Sequence, residues 1–462
     1  MLLMGALVPH APISIREIGG EETKKTAKTV AAMEKLAGKV KELAPETVAV
    51  FSPHGPLLEK ELPVRGGENL QGNLRRFGCS LSWSRRNDRE LAAALAAEVE
   101  AEGLSVAVPG GEAAYGFGMD NELDHGVLVP LSFLPEMPFN LVATGICLQP
   151  PEKQYALGVA AGRAIRKTSR RVVVLASGDL SHCLQPGAPA AYNPQGKEFD
   201  LLLVKLLREN RPEEIVRMDP ELVANAAECG YRSLVMLLGV FEGLEIQTEV
   251  LSYEGPFGVG YAVATITPGA ENSERRLLPG LLGRKAEELA SRREKESPPV
   301  RLARRTVENH LQGQKLLAEF ELPEELPGKA GVFVSIKKHG RLRGCIGTIF
   351  PSQANTAEEI KANAIAAAFH DPRFEPVRED ELEDLTYSVD ILHTPEPVRG
   401  TADLDPEKYG VIVRKGRRSG LLLPNLEGID TPEEQVAIAA RKAGIDPGER
   451  MQLERFEVTR YY

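Results

Sequence analysis

The first 267 residues alternate two periodicities, and this alternation limits the fold more than any other feature of the chain. Short β-branched runs, TVAVFS (47–52), NLVATGI (140–146) and RVVVLAS (171–177), are separated by long stretches that are apolar at helical spacing. Examples are TAKTVAAMEKLAGKVKEL (26–43) and RELAAALAAEVEAEG (89–103). Strands alternating with amphipathic helices predict an α/β domain over 1–267, its central sheet flanked by helices. EVLSYEGPFGVGYAVATIT (249–267) reads as two closing strands and makes the expected sheet mixed.

A chain of 462 residues exceeds one typical core, so a second domain is expected. Residues 268–297 shift to Glu, Arg, Ser and Pro, a linker composition with one short solvated helix expected around 285–293. Beyond it the grammar changes. GVFVSIKKHGRLRGCIGTIF (331–350) alternates apolar and polar residues about a His339-Gly340 turn, and GVIVRKGRRSGLLLP (410–424) repeats the scheme. A capping box, Thr431-Pro432-Glu433-Glu434, opens the last helix. Hairpins segregated from helices predict an α+β domain over 298–462. A net charge of −10 argues against a general nucleic-acid surface. Five scattered cysteines form no disulfide framework and suit a reducing compartment. The opening MLLMGALVPHAPIS lacks the basic start of a signal peptide, and no run approaches the roughly 20 apolar residues needed to cross a bilayer. A cytoplasmic protein with no membrane association is expected, with oligomeric state left open.

The first domain has four histidines: His10, His54, His125 and His182. His10 and His54 each follow a proline just past a strand, and His182 trails the 171–177 strand by a Gly-containing turn. Ligands in α/β sheets bind at the carboxyl ends of strands, where these three can converge. His125, in NELDHGVLVPL, is expected to precede a strand. A single loop histidine is usually solvated, but four at strand edges point to a metal site. Glu228, in ANAAECGYRSLVMLLG, is the preferred third ligand, although a carboxylate there equally suits a helix N-terminus.

The ordered set VPHAP, SPHGP, DHGVLVPL, SGDLSH and AECGYRSLVMLLG resembles the catalytic subunit of class III extradiol dioxygenases, across about residues 4–267. The resemblance implies ferrous iron held by His10, His54 and Glu228, with His182 as catalytic acid/base and His125 as a second histidine beside substrate and dioxygen. Two imidazoles and a carboxylate leave open positions where a catechol chelates. His182 would take a catechol proton and return it later, while Asp179 and Asp124 would orient imidazoles. Cys229 is the named alternative to Glu228, because the similar Memo family supplies a cysteine in this segment. A thiolate would favour zinc or copper over iron. A non-catalytic metal-binding scaffold and a metal-dependent hydrolase or transferase are the rival functions.

In the second domain LRGCIGT (342–348), HDPRFEPV (370–377) and GLLLP (420–424) resemble the AMMECR family over 298–462. Arg343, Cys345, His370, Asp371 and Arg373 make the candidate site there. Arg343 would bind an anion and Cys345, His370 and Asp371 would form a nucleophile set, against a small core cysteine and a loop-bracing Asp371–Arg373 pair. The fused pair resembles the AmmeMemoRadiSam system, which implies a separate radical S-adenosylmethionine protein as partner, since this chain has no clustered cysteines for an iron–sulfur centre. The substrate expected for the first domain is a small molecule, with a catechol as the first candidate.

Overall fold

The computed structural model describes residues 1–107, 121–314, 323, 326–338, 340–426, 428–446 and 449–462. It divides after Lys285 into two compact units. The first is built on six strands: β1 (Leu2–Val8), β2 (Thr47–Phe51), β3 (Asn140–Thr144), β4 (Val172–Ser177), β5 (Leu244–Glu254) and β6 (Tyr261–Glu271). Their order is β3-β2-β4-β1-β6-β5. The first four run parallel, and β6 and β5 close the sheet antiparallel, as the mixed reading expects.

Burial explains why β4 reads as an unbroken apolar run. Val172, Val174 and Ala176 pack on one face with α4 (Pro151–Lys167) and α6 (Tyr231–Val240). Val173 and Leu175 pack on the other with α1 (Ala27–Leu43) and α3 (His125–Phe133). A parallel strand covered on both faces has no solvent side to make polar. His125 therefore opens a helix and precedes no strand. The run HGVLVPLSF is apolar all round, and its periodicity alone does not separate a buried helix from a buried strand. Between β2 and β3 the chain makes α2 (Arg89–Ala101) and a small hairpin, Asn69–Asn73 with Ser82–Arg86.

Asp200, on α5 (Pro194–Arg208), is fully buried and braces the turn beyond β4. Its carboxylate accepts the Ser181 N–H at 2.9 Å and meets the Tyr253 hydroxyl at 2.9 Å. Burial pushes it up to about 7. A raised carboxyl stabilises the fold fully below the unfolded-state value near 4, and that contribution drains as pH rises through 7. Asp200→Asn keeps the shape without the ionisation. Chemical denaturation of both proteins should show the variant gaining on wild type between pH 4 and 7, by about 4 kcal/mol at ~1.4 kcal/mol per pKa unit, then holding level. A pH-independent difference would contradict the assignment.

The 268–297 segment is more ordered than a linker composition suggests. β6 runs on to Glu271, and α7 (Leu278–Glu294) occupies 17 residues. The second unit is an antiparallel sheet of β7 (Gly331–Lys338), β8 (Arg341–Gly347), β9 (Leu385–Leu392), β10 (Glu396–Val398), β11 (Tyr409–Lys415), β12 (Arg418–Leu422) and β13 (Gln452–Tyr461). The order is β8-β7-β9-β13-β11-β12, with β10 also on β13. Both expected hairpins form, although His339 lies outside the described residues. α8 (Pro298–Leu311) and α9 (Thr356–Phe369) share one core with β7 and β9. α10 (Pro432–Lys442) covers β11 and β12, opened by the expected Thr431–Glu434 capping box. No helix among the described residues is long and apolar enough to cross a membrane.

Candidate metal centre

The parallel register brings the ends of β1, β2 and β4 to one edge, with Val8 beside Ser177 and Phe51 beside Ala176. His10 and His54 follow two and three residues later, and His125 starts α3 at the same edge. These three imidazoles offer nitrogen atoms within 4.8 Å of one another, the one such group of donors among the described residues. His10 forms the buried floor at 2% exposure, while His54 is exposed.

Hydrogen bonds settle which nitrogen of His10 is free. Ser177 Oγ donates its one hydrogen to the Gly126 carbonyl, so the 3.0 Å contact with His10 Nδ1 must be donated by the imidazole. The Nε2 lone pair is then left to accept from His54 Nε2 at 2.9 Å. Burial holds His10 and His54 below the ordinary histidine range, and it pushes His125 down to about 3. All three are neutral at pH 7, the form that binds metal.

Two glycines make this packing feasible. A Cβ on Gly178 would lie 2.0 Å from Gly230 Cα, so only glycine there lets the β4 turn touch the segment before α6. A Cβ on Gly126 would lie 2.3 Å from Ser52 Oγ. The close approach at Gly178 carries Cys229 to the centre, its Sγ 3.5 Å from His10 Nε2. Glu228 is turned the other way, its carboxylate accepting the Tyr231 N–H at the start of α6. Burial raises Glu228 to about 7 and drives the Cys229 thiol well above its ordinary value, with Asp179 adding to the latter.

The carboxylates expected to orient imidazoles reach the two histidine loops through backbone N–H groups, Asp179 directly and Asp124 by way of the Ser52 hydroxyl. Asp179 Oδ1 accepts the His10 backbone N–H at 3.0 Å, and its Oδ2 is 3.8 Å from His10 Nε2. Asp124 accepts the Ser52 hydroxyl at 2.6 Å, and Ser52 Oγ accepts the His54 backbone N–H at 3.3 Å. Burial raises Asp179 to about 6. His182 is half-buried, anchored by its backbone N–H on the Ala226 carbonyl at 3.1 Å. Its Nδ1 is buried and has no partner among the described residues. Ser52, Ser177 and Arg76, which contacts the His125 ring, carry no sequence signal of their own.

The second-domain candidates split into two groups. Asp371 takes Arg373 through Oδ1 at 2.9 Å and Oδ2 at 2.7 Å, and also the Cys345 N–H at 2.9 Å. Its hydrogen bonds with Arg373 hold the carboxyl far below its usual range. Arg373 also donates to the Cys345 carbonyl at 3.0 Å, and Ser335 Oγ lies 3.1 Å from Cys345 Sγ. Arg343 is engaged by Glu381 at 3.1 and 2.9 Å and by the Glu375 carbonyl at 2.7 Å. His370 closes α9 with its backbone N–H on the Ala366 carbonyl, its side chain exposed. Asp371 therefore braces a loop, with its oxygens committed to Arg373 and backbone.

Neutral imidazoles converging at the carboxyl edge of a doubly covered sheet define the first domain as an α/β protein with a metal-binding type of donor cluster. Comparison with known proteins then gives the family. Residues 4–264 match the model of the catalytic LigB subunit of aromatic ring-opening dioxygenase, and residues 300–462 match the AMMECR1 model. The chain belongs to the LigB family through its first domain and carries an AMMECR1 domain fused to it. A Clostridium acetobutylicum protein is 38% identical over 98% of both chains. A Thermotoga maritima protein is 54% identical over 170 residues, 36% of this chain and 98% of its own. A solved Pyrococcus horikoshii protein, 34% identical, covers 36% of this chain and 90% of its own with a TM-score of 0.33.

Proposed function

We propose that the first domain is a metal-dependent oxidoreductase of the extradiol dioxygenase type, acting on a small catecholic molecule, with His10 and His54 as two of its metal ligands. The observation that carries this is the pair of neutral imidazoles whose Nε2 atoms face one another at 2.9 Å, one of them with its lone pair fixed by Ser177. Ferrous iron, when bound there, supplies oxygen activation and chelation of a diol. The protein does the rest. Ser177 orients His10, Asp179 and Ser52 hold the two histidine loops by their backbones, and His182, with Nδ1 unpartnered, takes a substrate proton and returns it.

The third ligand comes from the 228–229 pair, and the side-chain directions favour Cys229. Its sulfur lies beside His10, whereas Glu228 is engaged by the Tyr231 N–H. Cys229→Ala should release most of the bound metal and Glu228→Ala should retain it, read as metal per chain after dialysis. The reverse result would assign the carboxylate. A cysteine donor also favours a second reading, a zinc or copper scaffold without ring cleavage. Anaerobic loading followed by a catechol panel with and without O₂ separates the two. A ring-cleavage chromophore supports the oxidoreductase, and bound metal with no turnover supports the scaffold. We further infer a separate radical S-adenosylmethionine polypeptide as partner. The support for it is the fused pair of domains, together with cysteines too dispersed for a cluster of their own.

A further inference from the structure

We propose that Arg76 is a positioning residue that fixes the tautomer of His125, so that this imidazole presents an N–H to the centre and does not ligate the metal. The inference rests on the reading of His10 and His54 as ligands and adds a division of labour among the three clustered histidines.

Arg76 Nη2 is in hydrogen-bond contact with His125 Nδ1. A guanidinium has only donors and keeps its proton in proteins, so Nδ1 must accept. With Nδ1 accepting, the one ring hydrogen is on Nε2, which becomes the N–H. His10 has the opposite assignment, with Nδ1 donating to Ser177 and Nε2 bare. Two imidazoles with ring centroids 5.3 Å apart are thus set by their outer partners to inverse roles.

Arg76 is placed for this by its own surroundings. It lies on the one-turn helix Arg75–Phe77 within the small hairpin, with its guanidinium carbon 4.7 Å from the Phe77 ring centroid. That ring in turn lies 5.4 Å from His125. His125 sits 4.2 Å from His54 between ring centroids.

The chemical consequence is a choice between two kinds of centre. Three imidazoles with bare nitrogens would make a three-histidine set, one of the ligand sets of catalytic zinc. With His125 held as a donor, the metal keeps two imidazoles and one residue from the 228–229 pair. The His125 N–H is then available to an anionic oxygen of the substrate. Arg76 would set the donor count without itself touching metal or substrate.

The test uses the full chain with ¹⁵N-labelled histidine and no metal. Ring nitrogen–proton correlation spectra report each tautomer directly, and His125→Ala assigns its signals. Wild type should show His125 protonated at Nε2, Arg76→Ala should move the hydrogen to Nδ1 or populate both forms, and Arg76→Lys should restore the wild-type pattern. Cobalt loading gives a second readout, with two histidine nitrogens by X-ray absorption in wild type and three in Arg76→Ala. A wild-type His125 protonated at Nδ1, or a tautomer unmoved by Arg76→Ala, would overturn the proposal. Failure of cobalt to bind would instead count against the metal-site reading, while the metal-free spectra still decide the role of Arg76.

Discussion

His10→Ala is expected to abolish stoichiometric metal binding while the domain stays folded. His10 is held with a bare Nε2 toward the centre, fixed through Ser177 and Gly126. Loss of an outer partner of a ligand commonly costs about 10- to 100-fold in metal affinity, and loss of the ligand itself should cost more. The fold should survive, because the bond from the residue 10 backbone N–H to Asp179 and the Ser177–Gly126 bond do not need the imidazole. Metal per chain after anaerobic purification and dialysis, with circular dichroism as the folding control, reads this directly. Unchanged metal content would remove His10 from the ligand set.

His182→Ala should separate chemistry from binding. Its Nδ1 has no partner among the described residues, and its backbone is tied to Ala226, so the side chain is placed without being consumed by the structure. Removing a positioned general acid/base typically costs about 10²- to 10⁴-fold in turnover. Turnover of whichever catechol wild type cleaves should fall by that order, with metal content unchanged. Loss of metal in this variant would make His182 a ligand, and retained turnover would deny it the proton.

The sheet was legible because β-branched runs and amphipathic helices carry their periodicity in the sequence, and the parallel order follows once both faces of β4 must be buried. Convergence of His10 and His54 on one edge was legible for the same reason, since strand ends share an edge in a parallel sheet. The start of α3 at His125 was not, because HGVLVPLSF is apolar on every side. Nor were the directions of Glu228 and Cys229. Adjacent residues before a helix point apart, and the Gly178–Gly230 contact that selects the inward one is long-range. The order within 268–297 was hidden by composition, for α7 is polar along most of its length and buries only Leu278 and Leu281. In the second domain the motif residues were found, but a committed Asp371 and an exposed His370 depend on contacts that no spacing encodes.

The carboxyl edge of this sheet is expected to hold one metal ion through His10 and His54. Elemental analysis of the anaerobically purified full chain beside the His10→Ala/His54→Ala double variant tests it most directly. About one metal per chain in wild type and none in the variant is the predicted result. Equal metal in both, or a wild-type chain that takes up no metal on anaerobic loading with iron, zinc or copper, would contradict it.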